Sequence, residues 1–230
     1  GFRPNIIKEN KMLYVCLAGC AISGASLQVF QAYLINIVEK TFGVTNYILP
    51  LAAIIILAAV IAAVSSALMD KYGKSKFYYP TIIMSVVGGV ILFCAKFVMD
   101  NYPAKMAFLL LGGIPIMASS LMMAGLFVAA FRDYIPKGKE GSFQGVRMCM
   151  YVLIPMIIGP LVGQFIINTV NLRTPEGVIL YPPELFLGAA VIICLAFIPS
   201  YFVKRNDKII RAKLLEKIEK EREEESNQGE

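Results

Sequence analysis

Long apolar runs separated by short charged breaks organise the chain. Six runs are long enough for a membrane helix, at residues 12–38, 47–69, 79–98, 105–131, 146–170 and 185–203. Crossing about 30 Å of hydrocarbon as an α-helix takes about 20 apolar residues. The runs are too long and too continuously apolar for barrel strands, whose side chains alternate between lipid and lumen. They predict an all-α integral membrane protein, with residues 1–203 forming one six-helix bundle. Residues 204–230 then make a cytoplasmic tail in which Ile210, Leu214 and Ile218 share one side of an amphipathic helix. Its basic half lies nearest the membrane, which suits either anionic headgroups or plain solvation.

Six spans put both chain ends on one side, and lysine and arginine decide which. The ends and even-numbered loops hold ten of these residues even without the tail, against four (Lys40, Lys96, Lys105 and Arg173) in the odd-numbered loops. Positive charge is retained in the cytoplasm. Both termini, and the loops at 70–78 and 132–145, are therefore expected on the cytoplasmic side of a cell membrane.

Composition narrows the chemistry. Hydrophobic residues make up 57% of the chain, where soluble proteins average about 45–50%. There is no His and no Trp, so the usual general base and the commonest zinc ligand are missing. All five cysteines fall inside apolar runs without a Cys-x-x-Cys pair. They read as buried thiols; Cys16 and Cys20 share a helix face but lack companions for a metal site. No catalytic residue, metal site, cofactor or nucleic-acid partner is expected, and the chain does not read as an enzyme. It opens at Gly1 without a signal-peptide pattern, and a piece of a longer chain is the expectation.

Polar and helix-bending residues mark where the spans differ. The first carries Gln28, Gln31, Tyr33 and Asn36 in its outer half. Amides at that depth need partners or a wet cavity. They predict either interhelical hydrogen bonds or a solute-facing wall, with Gln28 and Gln31 its main residues and Tyr33, Asn36 and Tyr151 of the fifth span weaker candidates. The second span repeats small residues every four positions, Ala58, Ala62, Ser66 and Ala59, Ala63, Ala67, a pattern for close helix packing. In the fourth, Pro115 removes the backbone bond to the carbonyl of Leu111 and predicts a bend. In the fifth, Pro155 and Pro160 leave the carbonyls of Tyr151 and Met156 without their usual donors, beside Gly159 and Gly163. Lys96 near an outer helix end is expected to snorkel. Deep inside the spans there is no Asp, Glu, Lys or Arg; Arg147 lies just past a cytoplasmic end.

Between the second and third runs stands Ser66-x-Leu68-x-Asp70-Lys71-x-Gly73-Lys74-x-Lys76. It resembles the signature loop of the major facilitator superfamily, Gly-x-Leu-x-Asp-Arg-x-Gly-Arg-Arg/Lys, with Ser for the first Gly and Lys for both Arg. Gly159-Pro160-x-x-Gly163 is similar to the Gly-Pro-x-x-Gly core of a second motif of that superfamily. The resemblance implies one six-helix half of a transporter, the C-terminal one, built from two inverted three-helix repeats. It also implies that Asp70, with Lys71, Gly73 and Lys74, latches this half to the N-terminal half, beside a helix N-terminus. If that helix is missing, Asp70 would be exposed or paired with Lys71, Lys74 or Lys76. Residues 132–147 and the following Val-Leu-Ile-Pro-Met-Ile-Ile-Gly-Pro resemble bacterial glycoside–pentoside–hexuronide:cation symporters. That implies a small polar solute such as a sugar or glycoside, and a bacterial plasma membrane. A coupling cation, H+ or Na+, would have no visible site here, because that family's acidic site residues lie mostly in the absent half.

Other classes fail on particular residues. An intramembrane serine protease needs a nucleophile elbow and a His, and Gly24-Ala25-Ser26 offers neither. Paired Asn-Pro-Ala boxes of water channels and the Pro-x-Asp/Glu repeats of mitochondrial carriers are absent. A carrier of another solute class, or a non-transporting membrane scaffold, remain as alternatives.

Overall fold

The computed structural model describes residues 10–44, 46–98, 101–135, 140–173, 177 and 179–210. Among these, six helices have the length and apolar content to cross a membrane: α1 (Lys11–Gln31), α2 (Ile48–Tyr72), α3 (Lys74–Val98), α4 (Tyr102–Asp133), α5 (Phe143–Val170) and α6 (Glu184–Ile210). The described residues form no strand, only an isolated bridge between Arg173 and Ile179. This is the all-α, multi-pass membrane fold that the hydrophobic pattern predicts. The outer part of the tail, with Leu214 and Ile218, lies outside the described residues.

α1 occupies the centre, packed against α4, α5 and α6. Small residues on several of its faces let three neighbours approach. Ser23 returns its hydroxyl to the carbonyl of Gly19 at 2.9 Å, and Ser26 donates to the carbonyl of Ala189 on α6 at 2.8 Å. A methyl group at Gly19 would strike the ring of Phe127. α3 packs between α4 and α6. At its α4 seam a Cβ on Gly88 would lie 2.8 Å from the carbonyl oxygen of Gly112. With no hydrophobic drive between helices in lipid, such backbone approach supplies the packing attraction.

Two apolar clusters fill the bundle. The one toward the lysine-rich end contains Leu13, Leu17, Tyr78, Phe127 and Phe131; the other contains Phe30, Ile37, Phe42, Leu92 and Phe186. Ring pairs hold both, with Tyr78–Phe127 and Phe30–Phe186 centroids each 5.2 Å apart. α2 packs chiefly on α4 through Ile54 and Ala58. Its remaining faces are open, and Ile48, Leu49, Ile56 and Val64 are all more than half exposed. In water such a face would be unstable; against hydrocarbon it is not. Of the two small-residue rows on α2, Ala58 and Ala62 turn inward while Ala59, Ser66 and Ala67 stay exposed.

Three spans depart from the expected outlines. α1 is not continuous to residue 38: it ends at Gln31, turns at Ala32–Tyr33, and resumes through Leu34–Asn36 into a π-helical turn, Ile37–Thr41. The Tyr33 amide bonds Phe30 one residue short of the α pattern, at 3.0 Å. Thr41 then clips this outer piece to Tyr181, accepting from its amide (3.1 Å) and donating to its carbonyl (2.8 Å). α6 runs on to Ile210 but tightens at Leu195–Ala196, because Pro199 has no N–H for the carbonyl of Leu195. α3 begins earlier than residue 79, at Lys74. Lys96 lies 4.1 Å over the Phe93 ring and pairs with Glu184 at 2.8 Å, tying α3 to the start of α6.

Candidate functional site

α1 and α5 run side by side with contacts that step by one turn. Gly24 meets Pro155, Gln28 meets Gly159, and Val29 and Tyr33 meet Gly163. A Cβ at Gly163 would lie 2.6 Å from the carbonyl oxygen of Val29, so a larger residue would push the helices apart. Just before Pro155, α5 widens into a π-helical turn, Cys149–Leu153, in which the Ile154 amide bonds the carbonyl of Cys149. A π-turn changes the hydrogen-bond step and so accommodates a proline without breaking the helix. α4 likewise remains helical through Pro115.

Between this pair and α4 a cavity of about 180 Å³ opens. Ser23, Gly24 and Gln28 of α1, Ser120 of α4, and Tyr151 and Met156 of α5 are among its walls. Ser120 donates to the carbonyl of Ile116 at 2.7 Å, as Ser23 does to Gly19, so both hydroxyls offer lone pairs rather than protons. The Gln28 amide makes no hydrogen bond to any described residue. No charged side chain lines the cavity. Neutral donors and acceptors beside Leu27 and Met156 suit a small polar solute with some apolar surface.

The five sequence candidates separate here. Gln28 and Tyr151 meet in the cavity. Gln31 is exposed one turn further out and Asn36 is half-buried, and neither is among the cavity residues. Tyr33 is engaged elsewhere: its hydroxyl donates to the carbonyl of Pro160 at 3.0 Å and its ring stacks on Tyr181, centroids 5.6 Å apart. Ser23 and Ser120 join the site without having been singled out for it. A Ser is too common in membrane helices for its position alone to signal a wall.

A second polar assembly closes the lysine-rich end. Gly73 leaves α2 at φ 91°, a conformation open to glycine. Lys74 then reaches Asp133 at the end of α4, 3.1 Å away and largely exposed, a pair worth under about 1 kcal/mol. Ser75 donates to one carboxylate oxygen of Asp207 on α6, and Tyr134 donates to the other at 3.0 Å. Asn206 in turn donates to the Tyr134 hydroxyl at 3.0 Å. Burial raises the Tyr134 phenol to about 12; the Asn206 bond opposes that shift and the neighbouring Asp207 carboxylate adds to it. Tyr134 therefore remains a donor at neutral pH. Asp207 thus ties the ends of three helices around a pocket of about 430 Å³. Asp70 stands exposed on its wall, with no hydrogen bond or ion pair to a described residue, since Lys74 has turned to Asp133. Asp207 falls within the tail expected at residues 204–230, and nothing local in the sequence links it to Ser75.

The described residues contain no cluster of metal-ligating side chains. Comparison with known families supplies the assignment: the profile described as Major Facilitator Superfamily matches residues 16–224. The chain belongs to the Major Facilitator Superfamily. No curated protein and no solved structure matches it. Members of this superfamily are membrane transporters rather than enzymes. Membership therefore places the chain among carriers that contact both lipid and a transported solute.

Proposed function

We propose that this major facilitator chain supplies the C-terminal half of a carrier that moves a small polar solute, a sugar or glycoside, by alternating access. The observation that carries the reading is the unpartnered amide of Gln28, which shares one uncharged cavity with Tyr151. Interhelical bonding within this half would need a partner on α4, α5 or α6, and no described residue of those helices takes that amide. On this reading the open side of α1, α4 and α5 faces the N-terminal half, and the solute lies between them. The likeness of residues 132–147 to the glycoside–pentoside–hexuronide:cation symporters supports the solute class. The lysine and arginine asymmetry supports a cytoplasmic lysine-rich end, and the same symporter likeness supports a bacterial plasma membrane.

Asp70 is the latch of this proposal. Exposed and unpaired among the described residues, it is free to meet a helix N-terminus of the other half. Such a terminus carries about half a positive charge, worth roughly 0.3–1 kcal/mol to a nearby carboxylate and up to about 2 when partly buried. Removing the latch shifts the balance of inward- and outward-open states without altering affinity in either. In proteoliposomes the full-length carrier should show sugar or glycoside flux above empty vesicles. Asp70→Asn should slow that flux several-fold while the folded yield holds. Flux no greater than in empty vesicles would leave the scaffold reading. Unchanged flux in Asp70→Asn, with unchanged accessibility from the lysine-rich side, would reduce Asp70 to a solvated turn residue.

A further inference from the structure

At the lysine-rich end α3 and α6 meet in a seam that plays no part in the solute path. Ser75 donates to Asp207, and the Lys204 ammonium lies 4.2 Å over the Tyr79 ring. Residues 75–79 of α3 therefore run alongside residues 204–207 of α6, in opposite directions. Deeper in the bundle the same Tyr79 ring meets Phe197, centroids 5.6 Å apart.

Lysines gather over this aromatic pair. Lys208 stands one turn beyond Lys204, and Lys76 one turn before Tyr79, at the spacings of four and three residues that share a helix face. Lys204 is half-buried against the ring, whereas Lys76 and Lys208 are exposed. Neither ion pair among the described residues includes any of the three. Acidic groups at this end are gathered elsewhere. Asp70, Asp133 and Asp207 line the pocket of about 430 Å³, where none of these lysines is found, and Glu140 belongs to the helix leading into α5. Asp207 accepts from Ser75 and Tyr134, and Asp133 is held by Lys74. α3 (Lys74–Val98) carries no carboxylate of its own. The seam is thus a concentrated positive patch without a counter-charge on either of its helices.

Directly past the lysines the same helices turn apolar and aromatic side chains outward. Ile83 and Val87 follow Tyr79 by one and two turns, Tyr201 follows Phe197 by one, and each is about half exposed. A cationic cluster that ends on an open apolar face matches a molecule with an anionic head and a hydrocarbon tail. Basic pockets between spanning helices attract anionic headgroups.

We propose that the α3–α6 seam binds one anionic phospholipid, with its phosphate among Lys76, Lys204 and Lys208 and an acyl chain along Ile83, Val87 and Tyr201. Lys204 is the anchor, because the Tyr79 ring holds its ammonium in place by cation–π attraction. The inference does not depend on which solute the carrier moves.

The test is a native mass spectrometry titration of the purified full-length carrier with dioleoyl phosphatidylglycerol and dioleoyl phosphatidylcholine. The two lipids share their chains and differ in net headgroup charge. One phosphatidylglycerol should be retained per carrier at concentrations where phosphatidylcholine is not. A lysine near a membrane surface contributes about a fivefold preference for an anionic lipid. Lys204→Gln combined with Lys208→Gln should therefore weaken retention about 25-fold, while Lys204→Arg should keep it. The control is Lys11→Gln combined with Arg132→Gln, which removes the same charge from exposed residues of α1 and α4; it should bind as the parent does. Equal weakening in the two double variants overturns the inference, because diffuse charge would then hold the lipid. Equal retention of the two lipids by the parent also overturns it. Displacement of phosphatidylglycerol by an equal concentration of glycerol 3-phosphate would do the same, since the patch would then take a soluble phosphate. If the double variant folds poorly, Lys208→Gln alone decides: the exposed side chain makes no ion pair among the described residues, and retention should fall about fivefold. No fall in that variant would overturn the site.

Discussion

Replacing Gln28 by Ala should cut solute uptake by the full-length carrier tenfold or more while leaving the amount of folded protein unchanged. The two halves of that expectation have separate physical grounds. The Gln28 amide bonds to no described residue, so its removal breaks no contact of the fold; the Cβ that packs on Gly159 is retained in Ala. In the occupied carrier the same amide would meet a solute hydroxyl. Leaving that group unpaired away from water costs about 1–3 kcal/mol, and each 1.4 kcal/mol is about a factor of ten. Gln31, exposed and outside the cavity, should show a smaller loss. Uptake measured alongside protein level and melting temperature separates a binding defect from a folding one. Unchanged uptake would return Gln28 to the role of packing.

Gly159→Leu should do the opposite, damaging the fold first and transport only as a consequence. Gly159 lies against Gln28 so closely that even a Cβ would overlap that side chain, and it would come within 2.9 Å of the Gln28 carbonyl carbon and 3.1 Å of the Ala25 carbonyl oxygen. Backbone atoms cannot swing aside as a flexible side chain does, so α1 and α5 must separate. Overpacking of this kind costs about 1–3 kcal/mol or more, and each 1 kcal/mol moves a melting temperature by about 2–4 °C in a protein of this size. A drop of about 5 °C or more in detergent, with poor yield, is the expected result. Gly125 supplies the control: a Cβ there meets nothing within 4 Å. Gly125→Ala should melt like the parent. Equal melting of Gly159→Leu and the parent would mean that this seam is not tightly packed in the membrane.

The fold was legible because the bilayer leaves few choices. Runs of about 20 apolar residues with no charge can only be spanning helices, and six were countable without knowing any contact. The break in α1 was not legible. No proline or adjacent glycine marks Ala32–Tyr33, and the turn is fixed by distant partners, Pro160 and Tyr181, that reach Tyr33 only in the folded bundle. The same break explains why Tyr33 left the group that Gln28 began: its side chain is held by α5 and the outer loop rather than by the cavity. Gln28 itself could be singled out, because an amide in hydrocarbon demands an explanation wherever it falls. The Asp207 assembly could not, since Ser75 and Asp207 are separated by most of the bundle and each looks like an ordinary surface residue alone. The signature loop was recognisable at Asp70 and Gly73, but the pairing of Lys74 with Asp133 depends on where α4 ends.

A solute path through the α1–α4–α5 cavity must be wet, whereas a packing seam between the same helices would be dry. Single cysteines at Gln28, Tyr151 and Val60, introduced into a full-length carrier freed of its native cysteines, answer this with a water-soluble thiol reagent. Val60 lies on the open apolar face of α2 and reports exposure to lipid. Only thiolates in contact with water react readily. Rapid modification of Gln28→Cys and Tyr151→Cys, with Val60→Cys inert, is the result predicted. Gln28→Cys and Tyr151→Cys as unreactive as Val60→Cys, in carriers that fold like the cysteine-free parent, would contradict it.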